Sequence, residues 1–170
     1  AILMSDGKKA ILEEKFDIAK EKFDAVGTFG ISKNELDRWK QFNGNLIQIT
    51  KMIPNHEYYA ARTLLNHCEK IDAQHPTYLK WNDEWGKAKD KWEGDRVGEG
   101  EQAVKDNQFD KCRDIVRRVT EQDPKNPLPA ALGRKNEIAE GLFLGFNALN
   151  DRDLPKAYDY AVAALRVAVG

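Results

Sequence analysis

Apolar residues recur along this chain at steps of three and four, a spacing that an α-helix satisfies and a strand does not. Ile11, Leu12, Phe16, Ala19, Phe23 and Val26 follow it, as do Leu36, Trp39, Leu46, Ile49 and Ile53. Leu64, Leu65, Cys68 and Ile71 repeat it, and so do Ile115, Val116 and Val119. Such steps place the residues on one stripe of a 3.6-residue helix, whereas a half-buried strand needs strict alternation, which is almost absent. The prolines and most glycines fall between the periodic blocks, where helix breakers belong. Breaks at Gly27–Gly30, Pro54–His56, Gln74–Thr77, Lys105–Gln108, Asp123–Pro129 and Asn150–Asp153 leave about eight helices, alternately longer and shorter. Thr77 after Pro76 has the form of an N-cap, as does Asp153 before Leu154 and Pro155. Ser32, three residues before Glu35, has capping-box form.

Charge narrows the functions such a helical chain can serve. Lys and Arg total 27 against 28 Asp and Glu, a net charge of -1, so no concentrated basic face announces nucleic acid. Arg113, Arg117 and Arg118 with Lys111 form one basic cluster, which reads first as a solvated helix face. The two cysteines, Cys68 and Cys112, are too few for a disulfide framework and read as buried thiols, pointing to a reducing, cytoplasmic setting. No run of 18 apolar residues occurs, so no membrane span is expected. Both ends are apolar where a free-standing array would carry a polar cap, an expectation of further chain on one or both sides.

One block repeats through the chain. Gly100, Ala103, Phe109, Cys112, Val116, Val119 and Pro124 define it most clearly. Gly7, Ala10, Phe16, Ala19, Phe23 and Val26 form a second copy in the same phase. Gly145, Ala148, Leu154, Ala157, Ala161 and Ala164 form a third, and Ile49, Met52, Tyr58, Ala61, Leu65 and Cys68 a weaker fourth. This pattern resembles the tetratricopeptide repeat. The resemblance implies an all-α fold of stacked antiparallel helix pairs, an α-solenoid or a compact helical-repeat bundle, with units near 1–30, 31–76, 77–127 and 128–170. The small residues Ala19, Ala61, Cys112 and Ala157 lie 42, 51 and 45 apart, more than that family's period of about 34. The excess predicts long first helices over Asn34–Ile53, Tyr78–Lys105 and Leu128–Leu149, each packed on a shorter second one.

The resemblance also implies an inner surface lined by the first helices. In the phase of Gly7, Ile49, Gly100 and Gly145 its residues are Met4, Lys8 and Ile11; Leu46, Thr50 and Ile53; Val97, Glu101 and Val104; and Leu142, Phe146 and Leu149. One Lys and no Asn stand there, so the family's clamp for a peptide carboxylate has no counterpart. The surface is largely apolar and suits an apolar helix or strand. The same stripe reads equally as helix-to-helix core. A second stripe, Tyr78, Trp81, Trp85, Ala88 and Trp92, steps by 3, 4, 3 and 4; Trp suits both an interface hot spot and ordinary packing.

No motif for chemistry emerges. His56, His67 and His75 form no metal spacing, and His56 and His75 fall at breaks where a solvated ring is usual. The carboxylates alternate with Lys and Arg at helical spacing, as solvated faces do. No Walker loop, dinucleotide fingerprint or nucleophile elbow is present. Gly94, Gly98 and Gly100 stand inside a helical run, where they weaken or kink it at about 1 kcal/mol each against Ala. The expectation is therefore a non-catalytic module without metal or cofactor, binding another protein or peptide as scaffold or adaptor. The alternative is a structural subunit whose apolar ends stack on copies of itself.

Overall fold

In the computed structural model, residues 2–26 and 32–170 are described; the expected break at Gly27–Gly30, and the boundary between the first two sequence units, lie outside them. The described residues form eight helices and no strand: α1 (Ile2–Leu12), α2 (Phe16–Asp24), α3 (Lys33–Met52), α4 (Tyr58–Asp72), α5 (Pro76–Lys105), α6 (Phe109–Gln122), α7 (Leu128–Asn150) and α8 (Leu154–Val169). They stack as antiparallel pairs, α1/α2, α3/α4, α5/α6 and α7/α8. The three long first helices match the sequence expectation to within two residues at each end. Two compact units divide the chain, residues 1–90 and 91–170, so α5 contributes to both.

The turn inside each pair is built the same way four times. Glu14, His56, Asn107 and Arg152 take a left-handed backbone with φ of 58°, 62°, 55° and 62°. The N–H of the following residue reaches back to the carbonyl five earlier: Lys15 to Ala10 at 2.9 Å, Glu57 to Met52 at 3.0 Å, Gln108 to Ala103 at 2.8 Å, and Asp153 to Ala148 at 2.8 Å. That is the bond with which a left-handed residue satisfies the last carbonyls of a helix. The acceptors Ala10, Met52, Ala103 and Ala148 are the residues that the repeat pattern places at this point, and Ala19, Ala61, Cys112 and Ala157 follow five residues after the turn, all buried.

Helix starts depart from the expectations at two places, Ser32 and Thr77. Asp153 caps α8, accepting from the Lys156 N–H at 3.3 Å. Ser32 stands at the N-cap of α3, but its side chain makes no capping bond. Thr77 is not the cap of α5, which begins one residue earlier at Pro76. Its hydroxyl donates instead to Ile11 O at 3.0 Å, tying α5 to the end of α1. His75 takes the capping position: its Nδ1 accepts from the Thr77 N–H at 3.3 Å. The ring is 6% exposed and lies edge-on to Phe42, so it is a packed ring and not a solvated one. Proline cannot donate a backbone N–H, and its presence at the first helical position leaves the preceding residue to cap.

The core of the first unit centres on Ile11, Phe23, Phe42, Leu46, Ile49 and Leu65, all with no exposed surface. In the second unit Ala103, Cys112, Ile115, Val119 and Leu132 cluster, with Trp92, Val104 and Val116 packed against them. Glycine matters at two close approaches. A Cβ on Gly7 would meet three atoms of the Phe23 ring at 2.5 to 2.9 Å, and one on Gly100 would meet Leu132 Cδ2 at 2.5 Å. Gly94 and Gly98 have open space around them, and α5 runs through all three glycines unbroken, so none of them ends the helix.

Candidate functional site

The candidate inner face divides sharply. In the first unit Met4, Ile11, Leu46 and Ile53 are buried. The reason is that α1 packs on α3 as well as on α2, so a stripe that one helix pair would leave open is closed by the next. These four therefore belong to the core and are withdrawn from any open groove. Lys8 is half-buried, paired with Glu35 at 2.9 Å and set over the Trp39 ring at 4.7 Å. Thr50 is half-buried and donates to Ile47 O in its own helix at 2.9 Å. It lines a cleft of about 430 Å³ between the α1–α2 turn and α3, together with Lys15, Asp17 and Lys51.

In the second unit Val97, Glu101 and Val104 are half-buried. Val104 packs on the core, and Glu101 pairs with Lys135 at 2.7 Å, which holds its carboxyl below the usual range. Leu142, Phe146 and Leu149 are different. They fall at i, i+4 and i+7 on α7 and are all exposed. Position for position, Leu149 is 51% exposed where Ile11 is 0% and Ile53 is 9%. The middle position carries Lys8, Thr50 and Glu101 in the first three pairs and Phe146 in the last.

The aromatic stripe of α5 is partly packed. Tyr78 is buried, and Trp81, Trp85 and Trp92 are half-buried. Trp85 Nε1 donates to Tyr58 O at 2.9 Å, with the Arg62 guanidinium over its ring at 5.1 Å. Trp92 packs against the second-unit core.

Junctions between pairs share one device that the repeat pattern did not disclose. Asn43 Nδ2 donates to Phe16 O at 2.9 Å, Trp85 Nε1 to Tyr58 O at 2.9 Å, and Asn136 Nδ2 to Phe109 O at 3.3 Å. Each acceptor is the residue two after the left-handed turn, and each donor lies 27 residues further on, in the next first helix. The donors differ in type, so only the constant separation could have signalled them.

A second exposed stripe was also missed. Leu154, Tyr158, Ala161, Leu165 and Ala168 step by 4, 3, 4 and 3 along α8, and all are exposed. The alternation is that of the Trp stripe, but the repeat pattern takes Leu154 and Ala161 as packing positions.

Charged groups are spent on one another. Arg113 bridges Asp110 and Glu140 at 2.5 Å each, Arg117 bridges Asp114 at 2.6 Å and Glu121 at 2.8 Å, and Arg118 reaches Asp114 at 2.7 Å. The basic cluster is thus an outer face with its own counter-charges. Both thiols are buried and free; burial pushes the Cys68 thiol up to about 12 and raises that of Cys112. Among the described residues no group of three His, Cys, Asp or Glu is placed to hold a metal ion, and no helix is long and apolar enough to cross a membrane. Compared by sequence and by structure, the chain matches no family model, no curated protein and no solved structure.

Proposed function

We propose that the chain is a tetratricopeptide-like helical-repeat scaffold that binds another protein through the apolar stripe of α7, without catalysing a reaction. The observation that carries this reading is the contrast at equivalent positions: Leu142, Phe146 and Leu149 are exposed where Met4, Ile11, Leu46 and Ile53 are buried by the chain itself. Exposed Phe and Leu at helical spacing are costly to leave in water, at about 25 cal/mol per Å² of apolar surface, and a stripe of this kind is the ordinary signature of an interaction site. An apolar helix laid across it would bury residues at i, i+4 and i+7 together.

A photo-crosslinking side chain placed at Phe146, with another at exposed Asp83 as control, tests this in the native cell. The reading requires an adduct of defined mass at 146, lost when Leu142 is changed to Glu, and none at 83. Equal adducts at both positions, or none at 146, would contradict it. An adduct of twice the chain mass would replace the foreign partner by a second copy.

A further inference from the structure

His75 closes the three-residue link between α4 and α5. Helix α5 opens on Pro76, which has no backbone N–H, so its first free donor is that of Thr77. His75 Nδ1 accepts that donor at 3.3 Å. The Thr77 hydroxyl donates in turn to Ile11 O at 3.0 Å, and Lys80 pairs with Glu14 at 2.6 Å. The first turn of α5 is thereby held to the end of α1 and to the α1–α2 turn. Thr77 is 3% exposed, as deeply buried as the ring that caps it.

The arrangement works only while Nδ1 is unprotonated. A protonated ring has two N–H groups and no acceptor, so Nδ1 would point a donor at the Thr77 N–H. Its charge would stand at a helix N-terminus, the end that favours anions. It would also lie in a pocket walled by Phe42 at 4.9 Å and Trp39 at 5.7 Å, where an unpaired charge is costly. The charged groups around the pocket do not offset that cost. At the end of α4, Asp72 attracts the imidazolium, but more weakly than burial opposes it. The others are cations: Lys8 of α1 lies over the Trp39 ring at 4.7 Å, Arg38 of α3 donates to Ile71 O at 3.0 Å, and Lys80 of α5 is engaged by Glu14.

We infer that His75 is a pH-operated latch: protonation of its ring releases the Thr77 N–H and opens the first turn of α5 from α1, while α4, α6 and the rest of α5 stay helical. The opening falls below pH 6.5, the ordinary value of the ring, because burial lowers it. It is a local event, separate from the loss of global stability that the same protonation brings. The latch lies in the first unit and the α7 stripe in the second, so either can fail without the other.

Residue-resolved amide exchange by NMR on the full chain tests this, with the His75 ring shift followed in the same samples from about pH 7.5 to about pH 4. Protection factors divide out the intrinsic pH dependence of exchange. Protection of Thr77 and Leu79 should fall about five-fold or more, the loss of one net hydrogen bond, with the midpoint of the ring titration. Ala61, Leu65 and Val119 should keep theirs. His75→Gln, whose amide oxygen can accept in place of Nδ1 without titrating, should abolish the fall. Asp72→Asn, which leaves the latch itself intact, should move both midpoints to lower pH. Constant protection of Thr77 through the ring titration would overturn the inference. So would a fall shared equally by Ala61 and Val119, a fall that persists in His75→Gln, or a ring that does not titrate before the whole chain unfolds.

Discussion

Gly7 and Gly98 are both helical, and the structure assigns opposite outcomes to the same substitution at each. Replacing an exposed mid-helix glycine by alanine gains about 1 kcal/mol of helix propensity. At Gly98 no atom lies within 4 Å of the new Cβ, so the gain is realised in full. For a chain of this length about 1 kcal/mol corresponds to roughly 2–4 °C, and Gly98→Ala should melt higher by that amount. At Gly7 the same Cβ would lie 2.5, 2.8 and 2.9 Å from Phe23 Cε1, Cδ1 and Cζ. The ring has no exposed surface and cannot swing away. Overpacking of this kind costs about 1–3 kcal/mol, and three overlapping ring atoms put it at the upper end. Subtracting the propensity gain leaves a net loss of about 1–2 kcal/mol, or roughly 2–8 °C. Circular-dichroism melts of both variants beside the parent chain measure the two shifts. A Gly7→Ala protein that melts as high as Gly98→Ala would refute the close approach of α1 to α2, and with it the role given to glycine in this pair.

Four further outcomes follow from the same geometry. Burial holds the His75 ring below its ordinary value, against a weaker opposing pull from Asp72. The fold thus favours the neutral ring. Its contribution is complete above the unfolded value near 6.5 and is lost as pH falls through the lower folded value, so urea midpoints should drop across that window and His75→Gln should flatten the drop. Trp85→Phe, which deletes the bond to Tyr58 O, should cost about 1 kcal/mol or more in a urea titration, and an unchanged midpoint would remove that junction bond from the account. Leu46→Ala, fully buried, should cost about 2–5 kcal/mol, while Leu142→Glu with Phe146→Glu should move the melting temperature by no more than roughly 2 °C. Iodoacetamide should modify Cys68 and Cys112 only after denaturation, since burial suppresses both thiolates; rapid labelling of the native chain would contradict their placement.

Much of the fold was readable because its determinants are local. The lengths of α3, α5 and α7 follow from apolar periodicity and breaker residues, and the phase of the four turns follows from the small residues five positions after each. The covering of each helix face was not readable. The tetratricopeptide resemblance implies the stripe Met4, Ile11, Leu46 and Ile53, but whether a neighbour closes it depends on where α3 lies, which no local pattern encodes. The same dependence hid the opposite state of Leu142, Phe146 and Leu149, whose spacing is identical although Phe146 stands where the other pairs carry Lys8, Thr50 and Glu101. His75 looked solvated because a histidine at a break usually is; its capping role depends on Phe42 and Trp39 enclosing the ring from a distant segment. The junction donors escaped because Asn43, Trp85 and Asn136 share a position and not a chemistry.

Carbene footprinting tests the central claim most directly, because it labels exposed side chains wherever they stand. In the purified chain Leu142, Phe146 and Leu149 should be labelled strongly, and Ile11, Leu46 and Ile53 scarcely at all. In cells that produce the protein at its native level, the α7 stripe should become protected while exposed Tyr59 and Leu79 stay as reactive as before. Equal labelling of the stripe in both settings would contradict a scaffold that engages a partner there, and labelling of Ile11 or Leu46 would contradict the fold on which it rests.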